Sequence, residues 1–340
     1  MLLTDGNFMS RLIVMIAQRL ALGVFTMFIV SIVIFAAIEA LPGDFAQAIL
    51  GQGATPEAVA AIRESLGMDR TAVERYFAWL GGAVTGDFGV SFSQLSFQSQ
   101  YGQTGERDVV TVADQLGPRF ANTIFLAATA AAVAVPLSLG LGILAALHRG
   151  TVLDRIANIG SLTSISSPEF FVAYLLILFL SAANPIFPSI SKIHADLDFW
   201  QQVYRTVLPA LTLTLVVTAH MMRMTRVAII NLLSSQYIEM ARLKGVPRWR
   251  IIVHHALPNA LAPIINVVAL NLAYLVTGVV VVEVVFVYPG VGQLFVDAVK
   301  LRDMPTVQAC CLIFAAAYIL LNLTADVVSV LTNPRLRHPR

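Results

Sequence analysis

Six mostly apolar stretches, each long enough to span a bilayer as a helix, alternate with polar segments along the chain. They run Leu12–Ala40, Ala121–Leu147, Ile156–Ala183, Val207–Leu233, Asn259–Tyr288 and Met304–Thr332. The first is uncharged from Leu20 to Ile38, and the second carries no charge at all. Pro168-Glu169 interrupts the third, Glu283 lies in the fifth and Asp326 in the sixth. The pattern predicts an all-α polytopic membrane protein with six transmembrane helices. Composition agrees: 57% of residues are hydrophobic and 12% charged, with mean hydropathy +0.78. A soluble domain carries about 25% charged residues. The first stretch is too long for a signal h-region and no small-residue cleavage pattern follows, so it is expected to be a retained helix.

Charge placement orients the spans. With the N-terminus inside, the inside segments hold 13 of the 22 lysines and arginines but only Asp5, Asp154 and Glu239 as acids. Both termini are therefore expected in the cytoplasm. The expected organisation is residues 1–41 as N-terminus and first span, 42–119 as an external segment, and 120–340 as the core. Within the external segment, Pro56–Leu66 reads as a helix with Thr55 as N-cap and Gly67 after it, and a second helix follows around Val73–Leu80. Gly86-Asp87-Phe88-Gly89 reads as a turn, and the polar Ser91–Gly105 as a mobile loop.

The inside loop at 234–258 is the most informative polar segment. Arg242, Lys244, Arg248 and Arg250 crowd into it. Tyr237, Ala241 and Lys244 share one side of a helix, Gly245 stops that helix, and Pro247 suits the first turn of another. Two short amphipathic helices around a glycine turn form a knob that can dock in a partner's cleft.

The spacing Glu239-Met240-Ala241, three residues, Gly245, nine residues, His255-Ala256-Leu257-Pro258 resembles the EAA loop of ABC importer permeases. Met240 and His255 depart from the usual alanine and isoleucine. The likeness extends along the chain to the first permease subunit (dipeptide permease B-like) of the dipeptide/oligopeptide/nickel family. It is carried by Leu41-Pro42-Gly43-Asp44, Gly86-Asp87-Phe88-Gly89-Val90-Ser91, Asn122-Thr123, Arg223-Met224-Thr225-Arg226, Glu283 through Gly292, Arg302-Asp303-Met304-Pro305 and Asn333-Pro334-Arg335. Phe45 replaces a proline usual in the family.

The resemblance implies a type I ABC importer permease fold in the bacterial cytoplasmic membrane. It implies a homologous second permease, two P-loop ATPase subunits and an extracytoplasmic substrate-binding protein as partners. It implies peptides, or a related solute such as nickel, as cargo moved by alternating access. Tyr237, Glu239, Ala241, Lys244, Gly245, Arg248, Leu257 and Pro258 are the expected ATPase-coupling residues. The chain itself has no Gly-x-x-x-x-Gly-Lys-Ser/Thr loop to cradle ATP. ATP and Mg are thus expected in the partner subunits, with no cofactor and no catalytic set here.

The intramembrane carboxylates carry two readings each. Glu283 and Glu169, with Pro289-Gly290 beside the former, either line a translocation path or gate, or satisfy local backbone at a helix interface. Asp326 is expected to be structural, and Arg223 and Arg226 to be snorkelling anchors. His254 and His255 are adjacent rather than four residues apart, so no metal site is expected. The competing class is a stand-alone ion-coupled carrier using Glu169, Glu283 and Asp326. It predicts inverted repeats, and none is visible.

Overall fold

The computed structural model describes residues 5–40, 45–50, 55–65, 67–101, 110–194 and 196–332. Regular structure among them is helical. The helices are α1 (Asp5–Glu39), α2 (Phe45–Leu50), α3 (Pro56–Ser65), α4 (Ala72–Thr85), α5 (Phe92–Tyr101), α6 (Val112–Leu147) and α7 (Val152–Ser166). After them come α8 (Glu169–Ile177), α9 (Phe199–Leu233), α10 (Gln236–Leu243), α11 (Arg248–Arg250), α12 (Leu257–Phe286), α13 (Val291–Leu301) and α14 (Met304–Thr332).

Four helices are individually long and apolar enough to cross a bilayer: Ile13–Glu39 within α1, α6, α9 and Met304–Val328 within α14. Three bent pairs raise the number to seven if each is one crossing. The third expected span is such a pair, α7 and α8 meeting at 102°. Pro168 has no N–H to continue α7 and restrains the residue before it, so the chain turns there. The second and fourth spans begin earlier than their apolar runs, at Val112 and Phe199. The side chain of Asp198 accepts from Trp200 N at 3.3 Å and so starts α9 in polar sequence.

The described chain divides into two compact units. The first comprises Met1–Gly23, Phe125–Tyr288 and Ala317–Arg340, and α9 is its centre. In the most apolar stretch of α9, 61% of residues are buried, against 6% for α1. Leu208, Leu213, Val217 and Met221 of α9 pack with Leu126 of α6 and with Leu275, Val279 and Phe286 of α12. Lipid tails are as apolar as leucine, so close backbone approach rather than water exclusion holds such helices together. Gly142 of α6 provides it. A Cβ there would lie 2.8 Å from Met222 O and 2.9 Å from Thr225 Cβ of α9. Pro209 inside α9 leaves the Arg205 carbonyl without its helical donor, and Ser191 Oγ donates to that carbonyl at 2.7 Å instead. At the ends of the unit's chain segments, Asp326 pairs with Arg19 at 3.0 Å, which is the structural role expected of it.

The second unit comprises Val24–Ile124 and Pro289–Ala316. The two helices read at Pro56–Leu66 and around Val73–Leu80 form much as expected. Thr55 Oγ1 accepts from Ala58 N at 3.3 Å to start α3. Thr71 and Glu74 form a reciprocal capping box on α4, and Gly86 closes that helix at φ +84°. Tyr76 of α4 anchors this layer. Its hydroxyl shares a 2.8 Å hydrogen bond with buried Ser31, and its ring meets Phe35 edge-on at 5.5 Å. Arg75 pairs with Glu39 beside it.

Two elements differ from expectation. The segment expected as a mobile loop contains α5, while 102–105 lie outside the described residues. The helix α13, unmarked by any long apolar run, follows α12 in the chain. One residue explains the first difference. Asp303, 1% exposed, accepts from Phe92 N at 3.0 Å, Ser93 N at 3.3 Å and Ser93 Oγ at 2.9 Å, and from Ser91 Oγ. It also precedes α14 and receives Thr306 N at 3.5 Å. A single carboxylate thus caps two helices more than 200 residues apart in sequence. Pattern reading sees local caps only, so α5 looked structureless. Asp303→Ala is expected to destabilise the protein by about 2–4 kcal/mol, the sum of two lost caps. Protease nicking of 92–101 should rise with the lowered thermal midpoint in detergent. An unshifted midpoint would contradict the double-capping role.

Candidate functional site: the basic loop and the intramembrane carboxylates

The loop expected to carry coupling folds around α10. Ile238 faces inward, fully buried against Ile251 and Ala256, with Leu232, Leu233, Ala241 and Val246 packed around them. Much of the rest is open. Tyr237, Glu239 and Lys244 are exposed, as are Met240, Leu243 at 78% and Trp249 at 63%, while Arg242, also exposed, lies one turn on from Ile238 on the same side of α10.

The turn after α10 explains the Ala–three–Gly spacing. Gly245 N donates to Arg242 O at 2.9 Å, and Val246 N to Ala241 O at 3.2 Å. These are the two bonds of a Schellman cap, and Val246 packs with Ala241 as that motif prefers. Gly245 takes φ +75°, where an L-residue with a Cβ is strained. Nothing lies within 4 Å of where its Cβ would point, so the limit is backbone conformation and not space.

The second half of the loop departs from expectation. Instead of a separate amphipathic helix, the three-residue α11 runs through a π-helical turn, Ile251–Ala256, straight into α12. The π turn lies just ahead of Pro258, which has no N–H for the His254 carbonyl, and the register slips there. The knob is therefore the root of a spanning helix. Pro258 is exposed, while the side chains of Arg248, His255 and Leu257 lie outside the described residues.

Behind the loop, Arg226 is not a snorkelling anchor. Its Nε and Nη2 reach the two carboxylate oxygens of Asp154 at 2.7 and 2.9 Å, and the Asp154 side chain is 7% exposed. Asp154 also accepts from Gly150 N at 2.9 Å and Asn158 Nδ2 at 2.8 Å. The bidentate pair ties α7 to α9. Arg223 is exposed. Sequence reading missed the pairing because a contact across 72 residues has no local period. The only trace was a lone acid at Asp154 among basic inside segments. It also gave no role to Trp249, which is exposed.

Each path candidate has local partners of its own. Glu283 is fully buried, with Tyr288 close by, and the Tyr288 phenol hydrogen-bonds Thr206. Glu169 is only partly buried, at the first turn of α8 after the break, and its carboxylate accepts from Tyr274 OH. In the second unit, Pro289 O accepts from Asn122 Nδ2 at 2.9 Å, and Val291 N donates to Thr123 Oγ1 at 2.9 Å. Gly290 is the extended residue that starts α13. Among the described residues no cluster of three or more His, Cys, Asp or Glu is placed to hold a metal.

Residues 138–338 match the family described as binding-protein-dependent transport system inner membrane component, and 9–127 match the N-terminal region of such membrane components. The chain belongs to this family. It is a permease subunit of an ABC importer and an inner-membrane protein. The glutathione transport system permease protein GsiC of Escherichia coli strain K12 is 35% identical over 313 residues, covering 92% of this chain and 95% of that protein. The proteins of the same description from Shigella dysenteriae serotype 1 and Shigella flexneri serotype 5b are 35% and 34% identical over the same shares. In an importer permease, the exposed α10 on a buried apolar footing is a surface suited to a protein partner.

The Arg226–Asp154 pair makes a stability prediction. Arg226→Met alone leaves a buried carboxylate unpaired and should destabilise by about 3–5 kcal/mol. Adding Asp154→Asn, which removes the charge and keeps an acceptor for Gly150, should recover most of that loss. Thermal unfolding in detergent reads both, and a double variant as unstable as Arg226→Met alone would count against the pairing.

Proposed function

We propose that this permease imports peptides of two to a few residues, glutathione-like tripeptides included, by alternating access. The coarser role follows from its family. The peptide cargo is supported by its similarity to relatives named for glutathione transport. Nickel or another small solute is the alternative cargo. The working subunit has six spans with both termini in the cytoplasm, on the charge asymmetry of its loops. It pairs with a second permease to enclose the path, binds two P-loop ATPase subunits inside and receives cargo from a binding protein outside.

The observation that carries the mechanism is the pedestal of Ile238, Ile251 and Ala256 under an exposed α10. Tyr237, Glu239, Ala241, Lys244, Gly245, Arg248, Leu257 and Pro258 form or shape the docking contact. Because α11 and the π turn run without interruption into α12, which bends by 48° between Ala260 and Pro263, a push on α10 enters the first segment of a membrane helix. That is the geometry needed to turn closure of an ATPase dimer into a rigid-body step in the membrane. Glu169, partly exposed at a broken helix, is the better placed of the two carboxylates to meet a peptide ammonium on the path. Glu283, fully buried, is the less suited of the two to meet cargo.

Gly245→Asp tests the docking role in the reconstituted transporter. The φ +75° backbone costs an aspartate about 1–2 kcal/mol, too little to unfold the protein. ATP-coupled peptide uptake should be abolished and the ATPase subunits should be lost on purification, while unaltered uptake would refute the role. A second variant addresses the path. Glu169→Gln should lower uptake of a labelled dipeptide about tenfold or more, the loss of one charged hydrogen bond to the cargo amine. Basal ATP hydrolysis should persist, and full uptake would remove Glu169 from the path.

A further inference from the structure

Where α6 and α9 end, the coupling loop leaves a cavity of about 630 Å³, open on one side. Its walls are of two kinds. Ile230, Leu233, Ile251 and Ile252 make its aliphatic part, and Arg149 and Arg242 line it with them. Both arginines are exposed, and among the described residues neither forms an ion pair. Among the described residues no acidic one lines the cavity. The nearby carboxylate of Asp154 is already committed to Arg226, Gly150 and Asn158.

Two unpaired guanidinium groups beside an aliphatic wall call for a ligand with a phosphate at one end and a hydrocarbon chain at the other. The cavity also lies at the level where two spanning helices stop, which is where phospholipid headgroups sit. We propose that it is a specific site for an anionic phospholipid. The headgroup phosphate binds between Arg149 and Arg242, and an acyl chain lies along Ile230, Leu233 and Ile252. Basic pockets between helices on the cytoplasmic side take such headgroups. A folded partner fits less well, because its docking surface here is the exposed tip at Met240, Leu243 and Trp249, while Ile251 lies 3% exposed in the cavity wall. Arg242 belongs to α10, so the bound lipid braces the coupling helix from the membrane side. Anionic lipid then strengthens coupling without touching the ATPase. The inference rests on the orientation proposed above.

The test uses the intact transporter, this chain with its second permease and ATPase subunits, purified in mild detergent and stripped of lipid. Native mass spectrometry then follows titration with phosphatidylglycerol or phosphatidylcholine. The wild type should retain phosphatidylglycerol and not phosphatidylcholine. R149Q/R242Q should bind phosphatidylglycerol about thirtyfold more weakly, the worth of two surface charges. R149K/R242K, which keeps the charges, should retain it. All three should keep their ATPase subunits. Equal phosphatidylglycerol retention in wild type and R149Q/R242Q would overturn the site. So would displacement of the lipid by millimolar inorganic phosphate, which would mark a soluble-anion site. Loss of ATPase subunits with lipid retention unchanged would give the cavity to a protein partner. Failure of the orientation itself reads separately, as ATPase subunits retained by Gly245→Asp.

Discussion

Backbone amides and carbonyls inside a bilayer have no water to turn to, so every break in a spanning helix needs a protein group to satisfy it. This chain breaks its helices repeatedly, and three of the breaks show their partners. At Pro168, Ser167 N returns to Ser164 O at 3.2 Å and Ser164 Oγ donates to Leu215 O of α9 at 3.2 Å. After α12, Tyr288 N closes onto Glu283 O at 2.8 Å, and Phe286 O accepts from Ser191 N at 2.8 Å. After α13, Asp303 N closes onto Ala298 O at 2.8 Å while its carboxylate caps α14. Val287 and Arg302, the two non-glycine residues with positive φ among those described, sit at the last two breaks. Each takes about 1–2 kcal/mol of strain that the surrounding bonds must hold.

The same requirement gives the short sequence signatures a shared explanation. Asn122-Thr123 serves Pro289 and Val291, Ser91 serves Asp303, and Ser191 serves both Arg205 and Phe286. Signatures that look independent along the chain are halves of one contact. Their residues are small and polar because the job is to give or take one hydrogen bond in a tight space.

That division also separates what could be read from the sequence from what could not. The long helices at Ile13–Glu39, α6, α9 and Met304–Val328 were legible because twenty apolar residues in a row admit few other structures. The turn at Gly245 was legible because a Schellman cap is complete within six residues. The helices α5 and α13 were not, since neither has a long apolar run and α5 is capped from Asp303. The sharpness of the third span's bend was hidden too: a proline announces a break but not its angle. The partner of Arg226 was out of reach for the same reason as the caps, being set by tertiary contact alone.

Gly142 has a bearing on how force travels. With no side chain between them, α6 and α9 meet backbone to backbone, and Thr225 closes the gap from the other side. Two rods seated this closely cannot slide past each other by small steps, because the first fraction of an ångström already meets hard-sphere repulsion. Stiffness here is a matter of geometry and owes little to bond strength. A displacement of one of the two helices is then shared by the other at once, as through a rigid strut rather than a spring.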